Sequence, residues 1–204
     1  MSLMGIIVNV DECIGCHACF IACKQENQVS PNIQWNRIRK VENREKNIIN
    51  YFRASCQHCE DPACLKVCPM KAVYKGPHGE ILIDQDKCIA CKACLAACPY
   101  GMPMFNDRKL TSYYGEKEPL FSPSNPPTKN AQPGKAEHCT LCSHRLTKGK
   151  EPACVEICPA KALTLVDFDA PTEKQKKLLA KAVQLKAGVD TKPKVRYVCS
   201  NMDF

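Results

Sequence analysis

The chain has 204 residues, 45% of them hydrophobic when cysteine is counted and only 6% aromatic. Setting aside its 17 cysteines leaves roughly 37%, thin for a domain that must bury most of the surface its unfolded chain exposes, so something besides side chains is expected to fill the core. A formal charge of +8 would suit a nucleic-acid surface, but no apolar run reaches the ~20 residues of a membrane span, and Met1–Val10 lacks the basic start and long apolar stretch of a secretory leader.

In chain order, the β-branched run Ile6–Val10 predicts a first strand. Behind it stand Cys13, Cys16, Cys19 and Cys23, spaced x2, x2, x3. A second set, Cys56, Cys59, Cys64 and Cys68, ends in the same x3 step and is followed by Pro69. Ala72–Tyr74 and Ile81–Ile83 then flank Gly76-Pro77-His78-Gly79, a turn between two strands. Cys88, Cys91, Cys94 and Cys98, followed by Pro99, repeat the first set: Asp11 and Asp86 each stand two residues before a Cys-Ile-x-Cys sequence. The repeating unit reads as a strand, a cysteine loop and a short helix carrying the last cysteine. The segment 119–133 holds five prolines and little apolar periodicity; it reads as a solvated connection or as a stiff strap lying on a partner. The fourth set is Cys139, Cys142, Cys154 and Cys158, followed by Pro159 and a closing strand over Ala162–Val166. Thr172 with Gln175 makes a capping box for a helix running to Ala187, with Gly188 as its stop. Cys199 is left as a lone, unliganded thiol.

Sixteen cysteines thus fall into four sets. An odd total at such tight spacing argues against a secreted disulfide scaffold. It is the ligand pattern of bacterial-type ferredoxins, in which three close thiolates grip one cubane and the fourth reaches the neighbouring cluster. Four runs imply two pairs, hence four [4Fe–4S] clusters. Zinc is the rival: sets two and four, with middle gaps of x4 and x11, could hold a tetrahedral ion. Sets one and three, with three thiols in seven residues, favour iron–sulfur. Each oxidised cubane with its thiolates carries about −2, so four would cancel the formal +8; the lysine and arginine excess then reads as local compensation, with no nucleic-acid partner. Because metal binding is coupled to folding, the chain without clusters should fold poorly. His17, His58, His138 and His144 lie beside or within the sets and are expected either to donate hydrogen bonds near the clusters or to be exposed. His144 and Arg145 could bring positive charge to one of them. No nucleophile–base pair, phosphate loop or dinucleotide fingerprint is present, so no catalytic residue is assigned.

The stretches Cys13-Ile14-Gly15-Cys16-His17-Ala18-Cys19, Cys56-Gln57-His58-Cys59 through Cys68-Pro69, Cys88-Ile89-Ala90-Cys91-Lys92-Ala93-Cys94 through Cys98-Pro99-Tyr100-Gly101, and Cys139-Thr140-Leu141-Cys142 through Cys158-Pro159 together resemble one family. It is the four-cluster iron–sulfur subunits of dimethyl-sulfoxide-reductase-type molybdenum or tungsten oxidoreductases, and the resemblance spans residues 6 to about 166. It implies an α+β fold of two ferredoxin-like modules, one inserted in the other: residues 1–50 with 130–170 carrying sets one and four, and residues 51–110 carrying sets two and three. Residues 111–134 would be the Pro-rich connection and 171–204 a C-terminal helix and tail. It also implies a nested ligand pairing: Cys13, Cys16, Cys19 and Cys158 for cluster 1; Cys23, Cys139, Cys142 and Cys154 for cluster 2; Cys56, Cys59, Cys64 and Cys98 for cluster 3; and Cys68, Cys88, Cys91 and Cys94 for cluster 4. The implied role is an electron-transfer subunit linking a large molybdenum or tungsten pterin subunit to a membrane quinone subunit or soluble carrier. A free-standing polyferredoxin is the alternative. The location expected is cytoplasmic, or at the membrane through partners, without a signal peptide or membrane span in this chain.

Overall fold

The computed structural model describes residues 2–107, 132–186 and 189–200, so the Pro-rich segment lies almost wholly outside the described residues. Strand β1 (Met4–Asn9) begins two residues before the predicted run. It pairs antiparallel with β8 (Leu163–Asp167) and parallel with β9 (Val195–Val198), so that Ile6 faces Leu165 on one side and Val195 on the other. Strand alternation sorts its side chains. Ile6 and Val8 join the main core, while Ile7 meets Val166 and Val198 on the far face, which α6 (Glu173–Leu179) covers with Leu178 and Leu179. Gly5 is required here by space: a Cβ would overlap the Lys194 carbonyl oxygen on the β9 side.

The tail departs from expectation. The Thr172 cap and its reciprocal Gln175 bond are present, but the helix stops at Leu179, not at 187. Val183 instead exchanges backbone hydrogen bonds with Tyr197, at 2.7 and 2.9 Å. Helix preferences of a few tenths of a kcal/mol per residue yield to a pairing that seals Val195 and Tyr197 in the core at 0% exposure.

The hairpin of β2 (Asn36–Asn43) and β3 (Ile48–Ser55) was not expected from the sequence. Arg37, Arg39, Lys40 and Arg53 interrupt its apolar alternation, which hides the period-2 signal. The hairpin lies under α1 (Ala18–Asn27), which packs on α5 (Ala153–Glu156). A second unit has the same plan: α2 (Ala63–Lys66) packs on α3 (Ala93–Ala97), and β4 (Val73–Lys75) pairs antiparallel with β5 (Ile81–Ile83) as β8 does with β1. The likeness is local as well. Cys68-Pro69-Met70-Lys71-Ala72 and Cys158-Pro159-Ala160-Lys161-Ala162 both place lysine at positive φ, 49° and 52°. Gly15 and His17 (68° and 63°) match Ala90 and Lys92 (63° and 62°). The two units are joined by β6 (Met104–Phe105), which pairs with β7 (Ala136–Glu137) ahead of α4 (Ser143–Leu146).

One detail of the predicted repeat is corrected. Only α1 carries the last cysteine of its set, Cys23; Cys68, Cys98 and Cys158 lie just past α2, α3 and α5. Cys98 caps α3 in an extended conformation, the backbone that the residue before a proline prefers.

Candidate metal centres

Left-handed residues at the starts of helices bend three of the cysteine loops around apolar hollows. His17 and Lys92 take this conformation at the starts of α1 and α3, and Cys142 takes it before α4. Three hollows are each lined by four cysteines drawn from two sets. Cys13, Cys16 and Cys19 share the first with Cys158. Cys139, Cys142 and Cys154 share the second with Cys23. Cys88, Cys91 and Cys94 share the third with Cys68. A fourth group is linked through Cys59 and Cys64, which are electrostatic neighbours of both Cys56 and Cys98. Cys199 falls in none of them and packs against the main core. Among the described residues no three Cys, His, Asp or Glu side chains crowd a point as a single ion demands; the thiols ring hollows instead.

Burial dominates the chemistry of these thiols. It pushes Cys19, Cys64 and Cys142 up to about 12 and Cys94 to about 11, with neighbouring cysteines adding to the rise. Cys23 and Cys56, fully enclosed, are raised well above 9.0 for the same reason. Such sites hold thiolates only if a positive centre joins them, as a metal does. Apolar linings, converging sulfurs and nearby donors therefore fit iron–sulfur clusters. The donors include the backbone N–H groups of His58 to Cys56 (3.5 Å), Leu141 to Cys139 (3.4 Å) and Ala72 to Cys68 (3.2 Å). Asn27 donates toward both Cys23 and Cys142, at 3.8 and 3.7 Å.

Two model families described as 4Fe-4S dicluster domains match the chain, one over residues 48–113 and 120–168, the other over 12–72. The iron–sulfur subunit of arsenate respiratory reductase from Shewanella sp. (strain ANA-3) is 35% identical, covering 97% of this chain and 96% of its own. The B subunit of anaerobic dimethyl sulfoxide reductase from Escherichia coli (strain K12) is 33% identical, over 94% of this chain and 86% of its own. The chain belongs to the iron–sulfur electron-transfer subunits of dimethyl-sulfoxide-reductase-type oxidoreductases. The B subunit of polysulfide reductase from Wolinella succinogenes is similar too, at 36% identity over 94% of this chain and 91% of its own. Tandem ferredoxin-type 4Fe–4S domains are thus built on mixed helices and strands. None of the described helices is long and apolar enough to cross a membrane.

The histidines divide. His17 is exposed. His144 and Arg145 do not face a hollow as loose charges; they bind Glu26 at 2.8 and 3.0 Å and tie α4 to α1. His58 and His138 are enclosed and meet edge to face at 6.3 Å. Burial holds both below 6.5, hence neutral near pH 7. Sequence reasoning missed Arg53, which is 1% exposed, and Thr191, whose Oγ1 lies 3.3 Å from Cys59 Sγ and 2.8 Å from the Tyr100 hydroxyl. An arginine amid Tyr51-Phe52-Arg53-Ala54 just before set two was the available signal for the first. Nothing local marks the second.

Proposed function

We propose that the chain carries four [4Fe–4S] clusters on the nested ligand sets: Cys13, Cys16, Cys19 and Cys158; Cys23, Cys139, Cys142 and Cys154; Cys56, Cys59, Cys64 and Cys98; and Cys68, Cys88, Cys91 and Cys94. In this reading the module of sets two and three is inserted in that of sets one and four. The grouping of thiols from two sets around each hollow carries the assignment. When bound, the clusters supply one-electron redox chemistry; the protein sets their order, charge and access to water. Neighbouring thiols link the groups in a line: Cys19 with Cys154, Cys56 with Cys139, and Cys64 with Cys94. Cys16 and Cys91, the exposed members of the sixteen, lie in the two terminal groups. Electrons would enter and leave there, between a large molybdenum or tungsten pterin subunit and a quinone-linked membrane subunit or soluble carrier. The chain would reach the membrane through those partners.

Iron analysis of an anaerobic preparation tests the count: about sixteen atoms per chain are expected for four cubanes, and fewer than about twelve would exclude them. Cys23→Ser should alter the electron paramagnetic resonance of a different cluster from that altered by Cys19→Ser. Loss of the same signal in both variants would refute the nested pairing.

A further inference from the structure

Arg53 comes from β3 and ends between two hollows. It lines both the Cys13–Cys16–Cys19–Cys158 hollow and the Cys23–Cys139–Cys142–Cys154 hollow. Its Nη2 donates to Cys139 Sγ at 3.6 Å, while Nε and Nη1 have no hydrogen-bond partner among the described residues. No carboxylate among those residues pairs with it. Lys24, another cation beside this core, differs: its ammonium is taken up by the backbone carbonyls of Ser30, Pro31 and Ile33. A guanidinium sealed from water with two idle donors is costly unless anions face it. The groups around Arg53 that become anionic as cluster thiolates belong to both ligand sets: Cys154, Cys139, Cys19 and Cys23.

We propose that Arg53 is a positioning residue shared by clusters 1 and 2, a single cation whose fork of donors serves the sulfurs of both and raises both midpoint potentials. The inference rests on the ligand assignment above. Reduction adds one electron to a cluster that is already negative. A fixed cation and hydrogen bonds to sulfur stabilise that added charge, which makes the potential more positive. Arginine suits a place between two acceptors because its planar fork presents five donors in several directions, whereas the lysine ammonium is a compact point charge. Among the described residues, clusters 3 and 4 have no enclosed arginine beside them. Near cluster 3 the buried Lys194, close to Cys56 and Cys59, gives its ammonium to the Gly79 carbonyl. Lys92 and Lys135, near cluster 4, are exposed and half-buried.

The test is a redox titration of the full, cluster-loaded chain followed by low-temperature electron paramagnetic resonance. Cys19→Ser and Cys23→Ser identify the signals of clusters 1 and 2. In Arg53→Met, at fixed ambient potential, the reduced-to-oxidised ratio of both clusters should fall tenfold or more, equivalent to about 59 mV for a one-electron couple, with clusters 3 and 4 unmoved. Unchanged potentials, a shift in one cluster alone, or an equal shift in all four would overturn the proposal. If Arg53→Met does not assemble its clusters, Arg53→Lys decides. It keeps the charge but cannot reach both hollows, so at least one of the two ratios should fall threefold or more; two unmoved ratios would overturn the sharing. A wild-type chain with too little iron refutes the ligand assignment instead, and that result is read before any Arg53 variant is made.

Discussion

The two cysteine-bearing units share a plan and differ in how they are wrapped. In the unit of sets two and three, β4 and β5 are joined by the tight turn at Gly76–Gly79 and make a two-stranded sheet. In the unit of sets one and four, the matching pair is β8 and β1, far apart in sequence, and the tail adds β9 as a third strand. The units differ in how far they enclose their inner group. Each has one outer group with an exposed thiol, Cys16 or Cys91, but Cys23, Cys139, Cys142 and Cys154 are all buried whereas Cys64 and Cys98 are half-buried. Similar ligand loops thus meet different dielectrics. Where water reaches the cluster it can screen the charge; where it cannot, the protein must supply the cation, and Arg53 stands between the fully buried group and the one that Cys16 opens to water.

The largest expected effect is loss of the clusters themselves. Because ligand bonds stand in for core, an iron chelator under reducing conditions should abolish the tertiary structure, read by near-ultraviolet circular dichroism. Iron should leave in stages, first from the hollows holding Cys16 and Cys91 and last from the one holding Cys23. A single uniform phase would erase the contrast between the units. Next is Gly5→Ala, which pushes a methyl group into the Lys194 carbonyl and strains the β1–β9 pairing. It should cost about 1–3 kcal/mol in denaturant unfolding, with the unit of sets one and four opening first in hydrogen exchange. Equal loss of protection in both units would show that they do not differ in this respect.

A smaller effect is expected from Thr191→Val. In a thiolate set the Thr191 hydroxyl, 3.3 Å from Cys59 Sγ, donates to sulfur, so its loss should lower one cluster potential. The reduced-to-oxidised ratio should fall about threefold, or about 30 mV for a one-electron couple, in the cluster that Cys59→Ser removes. Smallest is Glu26→Gln. Burial raises the Glu26 carboxyl, but the hydrogen bond from His144 and the charge of Arg145 outweigh it, so its folded value lies below the ordinary 4.5. A depressed carboxyl contributes stability above its unfolded value and loses it as pH falls through the folded one. The substitution should therefore cost about 1 kcal/mol at pH 6–8. The gap to wild type should close as pH falls below 4.5, measured as the difference between the two urea midpoints. A gap unchanged at low pH would mean that the carboxylate charge plays no part in tying α1 to α4.

Much of this molecule was legible because its chemistry is short-range. The cysteine spacings, the repeat from Asp11 to Asp86, the turn at Gly76–Gly79 and the Thr172 capping box each act within a few residues, and the structure carries each of them. A second repeat, Asp61-Pro62-Ala63-Cys64 with Glu151-Pro152-Ala153-Cys154, was equally readable and was overlooked. It makes set two the counterpart of set four, so the two units present their halves in opposite order along the chain. The β2–β3 hairpin escaped because four basic residues break its alternation, and one of them, Arg53, faces inward for a reason outside its own strand.

By itself the sequence determined the cofactor class, since the donor atoms and the gaps between them are covalent facts of the chain. Only the tertiary structure decided where those loops meet: that Val183 leaves the helical pattern to pair with Tyr197, that Thr191 reaches Cys59, and that one guanidinium lies between two hollows. Those contacts join residues up to 132 apart in sequence, held by burial and backbone pairing, and no local spacing records them.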